Sequence, residues 1–327
     1  MSTPYQLAAL AALVCLLPTP STEAATVIFQ DNFDNGQSGG SWDVWRSGND
    51  SVADFAYDYS AIGIPSAPNS TGGTTVGAQF LVNQSEGVFQ GISASPRDVQ
   101  ITGDFTIRFD LWINFVGPLT LGGSGSTQMA NFGWGTNGTR VQWAASNHSI
   151  GFSASGDGGT RQDYRVYRAA GGAPMAPDTG VYAAGTLAEP SPGLDSRNNT
   201  DPYYASLGGK TAPAAQLALF PNQTEATSPG TLGMAWRDVV IEKSGEVITW
   251  TVDGLRIATV PLQDVSVGGD NLFLGMFDIN AASSTDPNDF LNTAIYDNLR
   301  VSQVPEPSTF LLLGLTALVV GCKRRRH

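Results

Sequence analysis

Carboxylates and aromatic rings are the only side chains of this chain whose types and spacing could do chemistry. Residues 26–303 hold no cysteine, because the two cysteines are Cys15 and Cys322. Thiolate nucleophiles, thiolate metal sites and disulfides are therefore excluded from that stretch. His148 is its single histidine, in the polar run Asn147-His148-Ser149. A Ser-His-Asp triad would have to use it, and the turn-like context predicts an exposed loop histidine instead. The glutamates there are Glu86, Glu189, Glu225, Glu242 and Glu246, and Glu242 and Glu246 flank a Ser-Gly turn as solvated hairpin residues. The aspartates could still serve as acid and base, but no pair stands out. Among the rings, Trp42, Trp45, Trp134 and Trp143, with Tyr164 and Tyr167, lie in Gly-rich or polar surroundings where a flat face could stack on a sugar. Tryptophans of sheet proteins also fill cores, so each has both readings. Trp236 and Trp250 sit inside periodic strands and are read as core.

The elements that must position these groups are strands. Phe105, Ile107, Phe109, Leu111, Ile113 and Phe115 share one parity, and Thr106, Arg108, Asp110 and Asn114 the other. Val239–Ile241 and Ile248–Val252 form a hairpin, and Asp253-Gly254 turns the chain into a second at Leu255–Thr259. Asn271–Asp278 and Ile295–Val301 add two more strands. No stretch keeps a helical period, so the expected body is one antiparallel β-sandwich over residues 26–303. A long Gly/Pro-rich insertion, about 156–230, is expected to carry short strands near Gln162–Arg168 and Tyr203–Leu207.

The formal net charge is −12, and leaving out both ends takes away Lys323, Arg324, Arg325 and Arg326 with Glu23 and Glu306, giving about −14. Such a surface disfavours nucleic acid and anionic lipid as partners of the body. Asn-x-Ser/Thr occurs at Asn49, Asn69, Asn83, Asn137, Asn147, Asn198 and Asn222, more often than chance predicts. Polar loops account for much of the excess, and glycan decoration is the alternative.

The two ends carry addresses. Leu7–Leu17 is an apolar run followed by Pro18, Pro20, Ala24 and Ala25, the pattern of a secretory signal peptide over residues 1–25, although Met1–Gln6 holds no Lys or Arg. At the other end Val304-Pro305-Glu306-Pro307 precedes an uncharged segment, Phe310–Cys322, and a basic stop, Lys323-Arg324-Arg325-Arg326. Those 13 residues make about 20 Å of helix, short of a hydrocarbon core of about 30 Å. The tail, 304–327, resembles the PEP-CTERM sorting signal of bacteria that carry an exosortase. That resemblance implies export, transient inner-membrane anchoring by a short apolar helix, cleavage near Pro305-Glu306-Pro307 by exosortase, and release to the cell surface or matrix.

Phe29-Gln30-Asp31-Asn32-Phe33-Asp34, Gly103-Asp104-Phe105-Thr106, Ile248–Gly254 and Tyr296-Asp297-Asn298-Leu299-Arg300-Val301 resemble the concanavalin A-like lectin/glucanase (laminin-G-like) jelly roll. The resemblance implies either binding of extracellular polysaccharide or its cleavage. Glucanases of this fold use E-x-D-x-x-E on one strand, and no glutamate here has that spacing. The expected body is therefore a non-catalytic polysaccharide-binding or structural module, with a secreted polysaccharide-cleaving enzyme as the alternative. In that jelly roll the terminal strands are neighbours, which would bring Asp31 and Asp297 together. Two such carboxylates need a proton or a cation, and an oxygen-only site suits calcium. The competing expectation is that each aspartate hydrogen-bonds backbone amides.

Overall fold

In the computed structural model the described residues are 25–85, 89–119, 127–160, 162–168, 195–263, 265–278 and 287–304. The expected signal peptide, the apolar tail segment and the basic stop lie outside them. Among the described residues no helix is long and apolar enough to cross a membrane.

The strands run in chain order as β1 Thr26–Asp31, β2 Trp42–Arg46, β3 Ser51–Asp58, β4 Val76–Val82, β5 Gln90–Pro96, β6 Asp104–Asn114, β7 Gln128–Thr136 and β8 Ile150–Ser155. They continue as β9 Tyr164–Arg168, β10 Asp195–Arg197, β11 Arg237–Ser244, β12 Val247–Val252, β13 Leu255–Pro261, β14 Asn271–Asp278 and β15 Thr293–Val304. One sheet has the order β13-β12-β11-β6-β15-β4-β3, with β1 added beside β15; the other is β10-β9-β8-β7-β14-β5-β2. The described α-helix is a short one, α1, Ala214–Leu219. The fold is thus the all-β antiparallel jelly-roll sandwich that the alternation required.

Alternation decides the core. On β6 the residues Phe105 to Ile113 of one parity are buried between the sheets. Phe109 meets Phe132 of the opposite sheet at 5.1 Å, and Trp250 meets Phe132 at 5.6 Å. The tight turn at Asp253-Gly254 has φ of 50° and 77°, the double left-handed geometry that this pair is suited to. One expectation needs correction. Tyr203–Leu207 is not a strand: Pro202–Tyr204 is a 3₁₀ turn, because Asp201 caps the amide of Tyr203 and Pro202 fixes its own φ. Asp110 and Asn114, on the polar parity of β6, are buried as well, because Asn69, Leu291 and Asn298 cover that face and supply partners.

β15 has a bulge that matters later. It pairs with β6 at Asp297↔Asp110 and again at Arg300↔Arg108, with a shift between, and Asn298 takes a φ of 53°. On its other side β15 leaves β4 after Tyr296 and picks up β1 at Leu299.

Candidate functional site

The tryptophans divide by the face of the strand that carries them. Trp42 points inward from β2, is 2% exposed, stacks on Phe55 at 5.5 Å and donates its indole N–H to Asp31. Trp134, 6% exposed, donates to the carbonyl of Ile101 and packs on Phe105. Trp143, 7% exposed, lies against Gly91, where a Cβ would come within 2.8 Å of two of its ring carbons. Tyr164 and Tyr167 are buried, the former stacked on Tyr204 at 4.5 Å. These rings are packing elements, and the reading of Trp42, Trp134 and Trp143 as sugar platforms gives way to core.

Trp45 differs. It alternates to the outer face of the edge strand β2, is 37% exposed, and donates its indole N–H to the carbonyl of Gly138 at 2.7 Å. That bond holds the ring in place while the residue stays partly exposed. Beside Gly138 lies a cavity of about 570 Å³ whose lining includes Asp98, Asn137, Asp270 and Asn271. The platform and the polar cavity share the 137–138 turn.

Residues 137–149 pack as a strap on part of the outer face of the second sheet. Gln142 donates its backbone N–H to Ser93 and accepts at its carbonyl from Asn131 at 2.7 Å. His148, expected on an exposed loop, is buried in this strap. Its Nδ1 accepts from the Arg140 guanidinium, and its Nε2 faces Asn137 and Thr136. Burial first, then the Arg140 charge, holds the imidazole down to about 4. No carboxylate is among its hydrogen-bond partners in the described residues, so the geometry builds no triad.

Glu242 and Glu246 are exposed on the β11–β12 hairpin of the other sheet, and Glu225 is exposed on a loop. Glu86 and Glu189 lie outside the described residues. The displaced carboxyls are elsewhere: burial raises Asp157 to about 8 and Asp163 to about 6. Asp163 accepts from Ser155 and Asn199, as a structural acid does.

The terminal strands pair as expected, but Asp31 stands opposite Leu299, two residues along β15 from Asp297. Asp31 accepts from Phe33 N–H, Ser38 and Trp42. Asp297 accepts from Tyr59, Ser70 and Asn298 N–H, and its cross-strand carboxylate neighbour is Asp110. Burial raises Asp297 to about 7. Among the described residues no group of three or more His, Cys, Asp or Glu side chains could hold a metal ion.

The Asn-x-Ser/Thr excess also finds a physical role. At Asn137, Asn147 and Asn198 the side-chain oxygen accepts both the N–H and the hydroxyl of the residue two positions on. The triplet is a turn that closes on itself.

A comparison with curated protein sequences finds no match. Similar solved structures include a protein of unknown function with a galectin-like fold from Bacillus subtilis, 8% identical, covering 86% of this chain and 97% of that one at a TM-score of 0.43. The laminarinase catalytic domain from Thermotoga maritima is 10% identical, with coverage of 87% and 100% and a TM-score of 0.43. The Ca2+-bound exoplasmic/lumenal domain of VIP36 is 9% identical, with coverage of 81% and 84% and a TM-score of 0.39. Residues 303–326 match the PEP-CTERM protein-sorting motif, which marks the chain for export.

Proposed function

We propose that this chain is an exported, non-catalytic polysaccharide-binding module. Exosortase and the export machinery act on Val304, Pro305, Glu306 and Pro307 while the apolar segment holds the precursor in the inner membrane. The processed sandwich then works at the cell surface or in the matrix. One observation carries the binding reading: the partly exposed Trp45, pinned through Gly138 beside a polar cavity. A sugar ring stacked on Trp45 would bring its hydroxyls toward the amides of Asn137 and Asn271. The full chain in mild detergent should retard in affinity gels containing a neutral β-glucan such as laminarin, and Trp45→Ala should abolish the retardation. Equal retardation of both proteins refutes the assignment of Trp45.

A specific observation favours a second reading, since Asp98 and Asp270 line the same cavity and two carboxylates are what glycoside cleavage uses. Release of reducing ends from laminarin, lost in Asp98→Asn or Asp270→Asn, would decide for it.

A further inference from the structure

Where β15 passes from β4 to β1, the sheet leaves a notch. It is a cavity of about 580 Å³ floored by the bulge at Asn298 and walled by β1, β6 and the segment around Asn69. Across the notch Gln30 stands opposite Arg300, and Arg300 opposite Arg108, in antiparallel register. Like charges directly opposite one another destabilise a sheet. Arg108 is partly relieved by Asp238, which takes its Nε and Nη2 at 2.6 and 3.1 Å. Arg300 has no such relief: among the described residues its guanidinium reaches only the hydroxyl of Ser302, at 3.4 Å.

The remaining lining groups are sorted by charge. The Nδ2 groups of Asn69 and Asn298 are both tied to Asp110, at 2.8 Å each, so their carbonyl oxygens are left as acceptors. Asp31 also lines the notch, but both its oxygens are taken by protein donors. One end of the cavity therefore offers the planar cationic fork of Arg300 beside the remaining edge of Arg108, and the other offers neutral acceptors for hydroxyl groups.

We propose that this notch binds a carboxylated sugar, a uronic-acid unit of an acidic polysaccharide. Arg300, with the free edge of Arg108, grips the carboxylate, and Asn69 and Asn298 accept from the ring hydroxyls. The carboxylate is planar and matches a guanidinium fork in a way a point charge does not. General attraction cannot account for such binding, because the chain carries −12 overall and repels polyanions. The site is separate from Trp45 and lies on the other sheet.

Isothermal titration of the full chain in mild detergent with oligogalacturonate, laminarin and dextran sulfate tests the assignment. Oligogalacturonate should bind. Arg300→Gln should weaken it about tenfold or more, Arg300→Lys should fall between, and Trp45→Ala should leave it unchanged. Arg300→Gln should melt no lower than the wild type, since it relieves a like-charge pair. No binding of oligogalacturonate, equal binding by Arg300→Gln, or equally tight binding of dextran sulfate would overturn the proposal. Loss of laminarin binding alone in Trp45→Ala bears on the Trp45 reading and leaves this one standing.

Discussion

Asp157 is a carboxyl that the fold keeps protonated. It is 3% exposed, accepts one hydrogen bond from the N–H of Gly159 at 2.9 Å, and leaves its second oxygen buried with no partner among the described residues. Burial pushes it up to about 8, with the carboxylates of Asp163 and Asp278 adding to the rise. The folded protein thus holds a proton that the unfolded chain releases above its ordinary value of 3.8. Through this group stability falls as pH rises from about 4 to about 8. Each pKa unit is worth about 1.4 kcal/mol, which sets an upper limit of about 6 kcal/mol. Relaxation and water entry reduce such penalties, so about 2–4 kcal/mol is expected. Asp157→Asn keeps an acceptor for Gly159 and never ionises. It should match the wild type in urea at about pH 3, followed by tryptophan fluorescence, and exceed it by that amount at pH 9. Asp297 titrates in the same window with the same sign, but it is common to both proteins and cancels in the difference; Asp163, coupled to Asp157, adds to the difference with the same sign. Parallel pH profiles for variant and wild type would refute the reasoning.

His148 has the opposite sign. Its folded value of about 4 lies below the ordinary 6.5, so the stability it contributes is lost as pH falls between those values; His148→Gln should flatten that limb of the profile, and ring NMR should find the wild-type imidazole neutral at pH 5. Gly133→Ala, in the centre of β7, would place a Cβ 2.0 Å from the carbonyl oxygen of Ile150; with backbone on that side the strand cannot yield, and a loss of about 3 kcal/mol or more is expected in urea. Calcium at millimolar concentration should leave the melting temperature where a chelator leaves it, in wild type and Asp297→Ala alike, because protein donors already occupy both aspartates. A rise with calcium that Asp297→Ala removes would restore the metal reading.

The strand pattern was legible because burial on one face repeats every second residue, and β6 and the Asp253-Gly254 turn carry that signal locally. The tail was legible for a different reason: its three parts are read in order along the chain and need no fold. What the sequence did not reveal depends on partners far away in the chain. Trp42 and Trp45 are three residues apart in similar surroundings, yet one fills the core and the other faces solvent, as strand parity could have separated them. His148 reads as a polar loop residue because its burial comes from the strap folding over the second sheet. The Asp31–Asp297 pairing failed by an offset of two residues in the β1–β15 register, which no residue type announces. The Arg108–Arg300 opposition likewise exists only once β15 lies beside β6.

The place of β15 has a consequence for the order of events during export. It is the last described strand, and it lies between β6 and β4. A chain that crosses a membrane from its N-terminus delivers this strand last. Until then the first sheet is two separate pieces: β13-β12-β11-β6 on one side and β4-β3 on the other, with β1 lacking its partner. Tyr296, which donates to Gly275 of the opposite sheet and accepts from the N–H of Asn131 there, is missing from the core through the same interval. The first sheet is therefore completed only when the stretch running into the sorting motif has emerged.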